Sequence, residues 1–504
     1  MTLNLFEQEE QKVGKQLYDY QQEAMDKIFQ RLREFPDNYN LLFQLPTGGG
    51  KTVIFSEIAK HYIKENKKKV IILTHRIELC SQTSHMLSEM GVKNKVINSK
   101  VKELPDKNQF TCFVAMVETL NNRLQDEVMD FSDVGLVIID EAHINSFRKL
   151  FKYFDKKIML GVTATPLSSN IDLPMKDHYH ELIVGHSISE LIERNFLAKA
   201  TTFTFNVGLT SLKIGVNGDY TVSSSEQLYN SYSMQDKLLH AYEQRAKGKK
   251  TLIFNNGINT SRHVHDLFVQ AGYDVRHLDN TNSEQERKDT LEWFKNKPDA
   301  ILSSVSILTT GFDEPTVECI ILNRATRSLT LYHQMIGRGS RILPNKSDFA
   351  VIDLGNNALR FGLWDSYLNW HDIFRAPNHF IESIQADSEL EFNFTYEMPE
   401  DIRKNFPNSE SIEFDIKEEY VRVTREGLRP KIVIERSIKQ HTKILVENSE
   451  DVFSARQLAK LLEDDIEDRI RRYSYCICKS TKNYVKWLEE DYKRKLSLSL
   501  QQQY

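Results

Sequence analysis

The stretch that decides the fold runs from Leu41 to Ile63 and reads LLFQLPTGGGKTVIFSEIAKHYI. Leu41–Leu45 is a short apolar run of the kind found in buried β-strands. The glycine-rich segment Pro46–Thr52 follows directly, and apolar residues then recur at helical spacing up to Ile63. Strand, glycine loop and helix in this order predict the first βα unit of a doubly wound α/β domain.

Further short apolar runs repeat this pattern along the first half of the chain. Each run is rich in β-branched residues and is separated from the next by an amphipathic stretch, which predicts buried strands of a parallel sheet. The runs are Val70–Thr74, Thr111–Ala115, Leu136–Asp140 and Ile158–Thr163. A segment rich in Gly, Ser, Thr and Asn, from Asn206 to Ser233, interrupts the alternation and predicts a hairpin or loop excursion.

The alternation resumes in the second half and predicts a second α/β domain of similar size, also RecA-like. Its apolar runs are Thr251–Phe254, Asp274–Leu278, Ala300–Ser304, Val317–Leu322 and Ala350–Asp353. After Ala376 the alternation ends, and helical patterns such as Ser454–Ile470 and Lys482–Lys495 predict a smaller, mostly helical accessory region. We therefore predict three parts, residues 1–190, 191–375 and 376–504.

The composition is that of an ordinary globular protein, with 40% hydrophobic and 27% charged residues. No apolar run is long enough to cross a bilayer, and the polar, acidic start does not resemble a secretory signal. We therefore expect a cytoplasmic protein that does not bind a membrane. The net charge of −5 neither indicates nor excludes nucleic-acid binding, because such binding needs only a locally basic channel.

The glycine loop has the chemistry of a phosphate-binding site, because glycines allow a tight turn that directs backbone N–H groups at phosphate oxygens. The loop residues predicted to surround the nucleotide are Thr47, Gly48, Gly49 and Gly50. Lys51 supplies a positive charge for the β- and γ-phosphates, and the Thr52 hydroxyl suits Mg²⁺. The usual loop begins with glycine where this chain has Leu45, but the flanking strand and helix favour nucleotide binding.

Two carboxylates at the end of a later strand complete the predicted site. The apolar run Leu136–Ile139 is followed by Asp140 and Glu141, and the carboxyl ends of parallel strands face the ligand crevice. We expect Asp140 to hold Mg²⁺ and Glu141 to orient or deprotonate the attacking water. The sequence thus predicts that ATP and Mg²⁺ bind here.

The order of these motifs resembles that of superfamily 2 helicases over residues 1–375. The segments that resemble motifs I, II and III are Thr47–Thr52, Asp140–His143 and Thr163–Pro166. Those that resemble motifs IV, V and VI are Thr251–Phe254, Leu308–Asp313 and Gln334–Arg341, while Tyr20-Gln21 and His75–Leu79 resemble the glutamine motif and motif Ia. Within the superfamily, the chain is most similar to RadD-type and XPB-like DNA helicases, although its tail lacks the cysteine-rich zinc module expected of RadD-type proteins.

The resemblance implies a nucleotide site with two walls. Lys51 and Glu141 of the first domain would face Arg338 and Arg341 of the second, with Arg341 as the preferred arginine finger. An arginine supplied across a cleft couples hydrolysis to domain closure. The resemblance assigns further residues to the nucleotide, namely Gln334 as sensor of the γ-phosphate, Gln21 as reader of the adenine edge, and Gly311 and Asp313 as cofactor-binding residues.

By the same resemblance, nucleic acid would cross both domains and be held mainly by its backbone. The candidate contacts are Arg76, Thr119, Thr309 and Thr310, and the residues expected to couple the two sites are His143, Thr163 and Thr165. Structural explanations stay open, because Gln21 is also placed to cap a helix, and a threonine at a strand end often acts as a cap.

The leading hypothesis is an ATP-dependent helicase or translocase that acts on DNA in repair, recombination or replication. The Asp-Glu-Ala-His sequence occurs in both DNA and RNA enzymes, so an RNA helicase stays open. A second alternative is the motor subunit of a restriction or defence complex, with protein partners that dock on the region after Ala376. A third is an ATP-gated clamp that binds nucleic acid without hydrolysis.

Overall fold

The computed structural model describes residues 17–35, 37–99, 109–126, 131–170, 172–205, 207–209, 211–305, 308, 312–384, 398, 400–409, 414–477 and 482–504. The chain divides into two compact units, residues 1–385 and 386–504. In its described part, the first unit contains two parallel β-sheets, and the second consists of helices and their connections.

The first sheet lies in the first part of unit one. Its described strands are β1 Leu41–Gln44, β2 Lys69–Thr74, β3 Asn94–Ile97, β4 Cys112–Met116, β5 Val134–Asp140, β6 Ile158–Thr163 and β7 Glu181–Val184. They are parallel and lie in the order β3-β4-β2-β5-β6-β1-β7. Alternate residues face two hydrophobic clusters, with Phe43 and Ile72 in one and Leu42 and Ile71 in the other. Both faces are covered, which explains the continuous apolar runs.

Helices connect these strands and cover the sheet. They are α1 Asp19–Glu34, α2 Lys51–Asn66, α3 Ile77–Glu89, α4 Val117–Gln125 and α5 Ile188–Glu193, with 3₁₀ helices at Asn145–Tyr153 and Met175–Asp177. In α1 the buried residues include Ala24, Ile28 and Leu32, which recur at the spacing of one helix face. The helix therefore packs one apolar stripe against the domain.

The second sheet has the same parallel design. Its described strands are β8 Lys199–Thr204, β9 Thr251–Asn255, β10 Val275–Leu278, β11 Ile301–Ser304, β12 Cys319–Asn323 and β13 Asp348–Asp353, in the order β10-β11-β9-β12-β13-β8. The accompanying helices are α6 Val222–Tyr229, α7 Tyr232–Arg245, α8 Ile258–Gln270, α9 Glu284–Asn296, α10 Leu329–Ile336 and α11 Asn357–Phe361. The prediction of two α/β domains with parallel sheets is confirmed.

Strands β3, β7 and β8 do not stand out in the sequence, and all of them lie at sheet edges. A strand at an edge needs less apolar burial than a central strand. In β8, Lys199-Ala-Thr-Thr-Phe-Thr, no residue is fully buried. Apolar runs therefore indicate every central strand, but of the four edge strands they indicate only β10.

The last part of unit one returns to the first sheet. Helices α12 Trp370–Arg375 and α13 Pro377–Ser383 follow α11, and we call residues 362–384 the strap. Phe374 is buried in the same hydrophobic cluster as Leu42 of β1. The Lys176 ammonium donates to the Arg375 carbonyl at 2.7 Å. The two α/β domains are thus joined both by the connection between α5 and β8 and by the strap.

The second unit confirms the prediction of a mostly helical region. Its described helices are α14 Glu400–Arg403, α15 Ile416–Arg425, α16 Ile432–Glu447, α17 Val452–Lys460, α18 Glu463–Cys476 and α19 Lys482–Gln501. The pattern Ser454–Ile470, predicted as one helical stretch, spans two helices, because the chain turns between Lys460 and Glu463 to bury Leu462. None of the described helices is long and apolar enough to cross a membrane.

The core of the second unit contains a buried polar network. His441 of α16 has a partner at each ring nitrogen. Its Nε2 lies 2.6 Å from Asp465 Oδ2, and its Nδ1 lies 2.9 Å from the Tyr492 hydroxyl. Arg469 Nε lies 2.7 Å from the same Asp465 oxygen. The Tyr492 hydroxyl also pairs with Ser437 Oγ at 2.8 Å. The network thus ties α16, α18 and α19 together.

Candidate functional site: a phosphate loop facing two arginines

The glycine loop lies between β1 and α2, with Gly50 as the residue before the helix. Gly48 and Gly50 have positive φ values of 91° and 84°, a backbone region that favours glycine. A Cβ at Gly50 would lie 2.4 Å from Gln21 Nε2, and one at Gly48 would lie 2.6 Å from Ser340 Oγ. Backbone conformation therefore favours glycine at both positions, and at Gly48 the close approach of the second domain adds a steric reason.

Lys51 and Thr52 begin α2 directly after this turn. The Lys51 ammonium lies 3.3 Å from the Leu45 carbonyl oxygen. Burial lowers the pKa of Lys51, while Glu141 and Asp140 act in the opposite direction. Thr52 is half-buried in the first turn of α2.

Asp140 ends β5 and Glu141 follows it directly, as the sequence predicts. Both are buried, and the Glu141 N–H donates to Asp140 Oδ1 at 3.0 Å. Burial, with the neighbouring Glu141, raises the pKa of Asp140 to about 7. Burial is the largest influence on Glu141 and disfavours its ionisation. The Lys51 ammonium, together with His143, His75 and Arg338, outweighs burial, so the pKa of Glu141 lies below its usual value. Glu141 has φ of 54°, a strained conformation of the kind found at active sites.

Several buried polar atoms around these carboxylates accept or donate no hydrogen bond within the described residues. They are Thr47 Oγ1, His75 Nδ1 and Glu141 Oε2, the last lying 3.4 Å from His143 Nδ1. Buried polar atoms without partners cost free energy unless a ligand or water completes them. A lysine, a threonine hydroxyl and two carboxylates form a donor set that fits a magnesium-bound nucleotide.

Gln21 contacts both the loop and its own helix. Its Oε1 accepts a hydrogen bond from the Tyr18 N–H at 3.1 Å, and its Nε2 lies 3.4 Å from the Gly49 carbonyl oxygen. The capping explanation for Gln21 is therefore seen in the geometry. The same amide group also contacts the phosphate loop, so Gln21 lies next to the predicted nucleotide site.

The second domain supplies the opposite wall. Arg341 donates from NH1 to the Gly48 carbonyl at 2.8 Å and holds both oxygens of Asp313, at 2.9 and 3.1 Å. Arg338 is half-buried and donates to the Phe312 carbonyl at 2.5 Å. Burial lowers the pKa of Arg338 to about 10, and Glu141 opposes that effect. Both predicted arginines thus lie at the phosphate loop.

The turn that carries these arginines packs closely on the first domain. A Cβ at Gly337 would lie 2.6 Å from the Thr47 side chain. Gln334 is buried in α10, about one helical turn before Arg338. The structure therefore brings the predicted residues of motifs I, II and VI into one cleft.

The matches to known families follow this two-domain division. Residues 14–168 match the family described as type III restriction enzyme, res subunit, and residues 232–343 match the helicase conserved C-terminal domain. The first match contains the phosphate loop and both carboxylates, and the second contains both arginines. The chain carries the two RecA-like domains of a superfamily 2 helicase.

Individual relatives agree with this family. The Saccharomyces cerevisiae protein named as an ATP-dependent helicase, IRC3, is 32% identical over 358 residues, 67% of this chain and 51% of that protein. The Escherichia coli EcoAI type I restriction endonuclease subunit is 25% identical over 372 residues, 65% of this chain and 44% of the subunit. This chain thus spans about half the length of these two relatives.

A solved structure supports the same fold. A fragment from Vibrio vulnificus YJ016, named as an HsdR subunit of a type I restriction enzyme, superposes with a TM-score of 0.55. Its sequence is 21% identical, and the match covers 69% of this chain and 67% of the fragment. At this level of identity the likeness concerns the fold alone.

The residues predicted to couple the helicase sites lie at the cleft. His143 Nδ1 lies 3.0 Å from Thr163 Oγ1, which also accepts from the Thr165 N–H at 3.1 Å. The Thr165 hydroxyl donates to Thr330 Oγ1 of α10 at 2.9 Å. Motif III of the first domain is therefore hydrogen-bonded to the helix that carries Gln334 in the second.

The predicted nucleic-acid contacts are only partly described. Arg76 immediately precedes α3 at the end of β2, and Thr119 lies in α4 after the adjacent β4; both are half-buried. Burial lowers the pKa of Arg76. Thr309, Thr310 and the cofactor candidate Gly311 lie outside the described residues.

Two cleft contacts were not predicted from the sequence. Arg287 of α9 lies 2.9 Å from Glu78 of α3 and joins the domains by an ion pair. Thr330 receives the hydrogen bond from Thr165. Neither residue has a distinctive motif, but the position of Thr330, near the start of the helix that leads into motif VI, is a signal that could have indicated it.

Proposed function

We propose that this chain is an ATP-driven motor that moves along nucleic acid, preferably DNA, or separates its strands. The observation that carries the proposal is the Arg341 guanidinium, 2.8 Å from the carbonyl of Gly48 in the other domain. A nucleotide on this loop would meet charged groups from both domains. Its hydrolysis would therefore change how the two domains hold each other.

The residues of the first domain would prepare the γ-phosphate for attack. Lys51 would bind the β- and γ-phosphate oxygens. Mg²⁺, when bound, neutralises phosphate charge as a Lewis acid, and Thr52 and Asp140 are the residues that would hold it. Glu141 stays ionised beside Lys51, so its carboxylate can accept the proton of the attacking water. Thr47, Gly49 and Gly50 would line the phosphates.

The residues of the second domain would stabilise the charge of the transferred phosphoryl group. Arg341 is the proposed finger, and Asp313 orients it by holding two of its nitrogens. Arg338 and Gln334 would complete this wall, and Gln21 would contact the adenine. We also propose that Gly311 belongs to the nucleotide site, as the resemblance implies.

The route from the nucleotide to nucleic acid would run through motif III. His143 and Thr163 link the strand end of Glu141 to Thr165, and Thr165 reaches Thr330 across the cleft. Nucleic acid would lie on Arg76, Thr119, Thr309 and Thr310. The preference for DNA, the role in DNA repair, recombination or replication and the closer kinship to RadD-type or XPB-like enzymes rest on motif resemblance.

A second candidate function is the motor subunit of a restriction or defence complex. Two observations favour it: the match of residues 14–168 to type III restriction res subunits, and the EcoAI subunit among the relatives. In that case a nuclease would be supplied by a partner, and residues 376–504 are the proposed docking region. Purification from the native host would then recover a nuclease subunit with the chain.

The proposed function is tested by an ATPase assay on the full chain. Hydrolysis is measured with Mg²⁺ alone and then with single-stranded DNA, duplex DNA or RNA of equal length. We expect DNA to raise turnover at least tenfold. The Arg341→Ala variant should lose about 10³-fold of this turnover, and Arg33→Ala, an exposed change in α1, should not.

The outcomes separate the alternatives. Stimulation by RNA alone would reject the preference for DNA. Binding of nucleic acid without any turnover would favour an ATP-gated clamp. If no nucleic acid changed the turnover, the motor proposal would be wrong.

A further inference from the structure

An anchored hairpin projects from the second domain between β8 and α6. The N–H of Thr221 donates to the Lys213 carbonyl at 2.8 Å, and that of Gly215 donates to the Asp219 carbonyl at 2.8 Å. The Gly218 N–H closes the turn on the Gly215 carbonyl at 3.0 Å, with Gly218 at φ of 79°. These contacts define a short antiparallel hairpin, residues 213–221, which we call the tip hairpin.

The tip hairpin is fixed to its domain by Asp219 and Tyr220. Asp219 Oδ2 accepts from Thr326 Oγ1 at 2.7 Å, and its Oδ1 accepts from the Arg327 N–H at 2.8 Å. Tyr220 is buried, and Arg360 donates to its hydroxyl at 2.7 Å. The hairpin is therefore held by hydrogen bonds to the domain that carries Arg341.

This anchor places the tip hairpin at the carboxyl edge of the second sheet. Asn256, directly after β9, donates to the Tyr220 carbonyl at 3.3 Å. Arg327, which binds Asp219, precedes α10, the helix whose Thr330 contacts Thr165 of the first domain. The base of the hairpin thus lies beside the end of β9, which contains the motif IV segment, and beside the start of α10. This is the edge of the sheet at the cleft between the two α/β domains.

Two apolar residues are exposed on the tip hairpin. Val216, at the first central position of the turn, is fully exposed, and Ile214 is 54% exposed. Lys213 beside them is also exposed. Single exposed apolar residues are ordinary on protein surfaces. Here, however, apolar side chains project from a rigid, anchored hairpin rather than from a free loop.

We propose that the tip hairpin is a strand-separating wedge, with Val216 and Ile214 packing against the terminal base pair of a duplex. Apolar side chains that press on a base step unstack it, and a rigid mount lets motor movement act on that contact. Lys213 would lie next to the backbone phosphates. The inference rests on the proposed motor function and names the structure it engages, the junction between single-stranded and double-stranded DNA.

The test compares strand separation with translocation in the full chain. A fluorescently labelled forked DNA duplex measures unwinding. Single-stranded DNA measures stimulated ATPase, and displacement of streptavidin from its biotinylated end measures translocation. Val216→Asp is expected to lower the unwinding rate at least tenfold, while ATPase and translocation stay within twofold of wild type. Val216→Leu should unwind the fork at the wild-type rate, because leucine keeps the tip apolar.

Val222→Asp is the matched control, because Val222 is also an exposed valine of this excursion, 49% exposed, but lies in α6 away from the tip. It should unwind like the wild type. Unwinding by Val216→Asp at the wild-type rate would overturn the wedge and leave the motor intact, as would a wild-type chain that translocates without opening the fork. A wild type without DNA-stimulated ATPase would overturn the motor and the wedge together.

Discussion

Both units of the molecule bury polar side chains, but the hydrogen bonding of these side chains differs between the units. In the first unit, Thr47 Oγ1 and Glu141 Oε2 form no hydrogen bond within the described residues. In the second, His441 is held by Asp465 and Tyr492. Burial of a polar group costs free energy unless the group is paired. The unpaired groups of the first unit are therefore expected to bind a ligand, and the paired groups of the second unit are expected to stabilise its fold. Substitutions of these groups in the first unit should therefore lower activity, whereas those in the second unit should lower the free energy of unfolding.

The largest expected effect is loss of activity at the unpaired carboxylate. Glu141→Gln removes the proposed proton acceptor and should lower stimulated turnover about 10²- to 10⁴-fold. Stability should fall far less than turnover, because glutamine keeps the shape of the side chain and only the attraction between the Glu141 carboxylate and nearby cations such as Lys51 is lost. ATPase and thermal unfolding are measured together, with the exposed Glu65→Gln of α2 as the control. Normal turnover would show that Glu141 does not position the water.

The opposite result is expected at the paired carboxylate. Asp465→Ala leaves His441 and Arg469 without the acceptor they share and should destabilise the second unit by about 3–5 kcal/mol. Urea unfolding measures this free energy. The neighbouring Asp464 is exposed in the same helix, so Asp464→Ala should change it little. Equal effects of the two changes would contradict a structural role for the network.

The network should also make the second unit sensitive to acid. Burial lowers the pKa of His441 from 6.5 to about 4, so below about pH 6.5 the unfolded chain binds a proton that the folded chain does not. Stability is complete above pH 6.5 and falls as the pH drops toward 4, by about 2 kcal/mol at pH 5. The pKa of Asp465 is lowered, with His441 and Arg469 favouring its charged form despite burial, so it adds a loss only at still lower pH.

His441 is the only histidine of residues 386–504, so the effect can be traced to it. Urea unfolding at pH 7, 6 and 5 is followed by pulse hydrogen exchange at one common labelling pH, read from peptides of α16 and α18. Stability that stays constant from pH 7 to pH 5 would contradict the buried, neutral histidine.

The smallest effect is expected at the contact between the domains. Thr165→Val removes one hydrogen bond, worth about 1 kcal/mol, and should lower the stimulation of ATPase by nucleic acid several-fold without changing basal turnover. Thr330→Val should have the same effect, and the double variant should add little. Thr201→Val, on exposed β8, is the control. Additive losses would mean that Thr165 and Thr330 act separately.

The sequence predicts local chemistry better than distant pairing. Lys51, Asp140 and Glu141 follow apolar strands whose ends must share one edge of a parallel sheet, so their meeting could be predicted. Arg341 required a family resemblance, because its contact with Gly48 joins residues far apart in the chain. The roles of the site residues and the domain limits at 190 and 375 stay predictions.

The network around His441 could not be predicted in this way. Its members come from three helices, and nothing in the local pattern of α16 indicates that His441 faces Asp465. The same holds for the edge strand β8, whose polar sequence is compatible with a loop. In both cases the deciding information is long-range packing, which periodicity does not contain.

The strap is a second connection between the two α/β domains. With Phe374 buried in the core of the first domain, the second domain is restrained at both ends, so an opened cleft cannot separate far. The effective concentration of Arg341 at the phosphate loop then stays high, because closure is an intramolecular event over a short span. A backbone cut between α5 and β8 would therefore leave a nicked protein whose two halves remain associated.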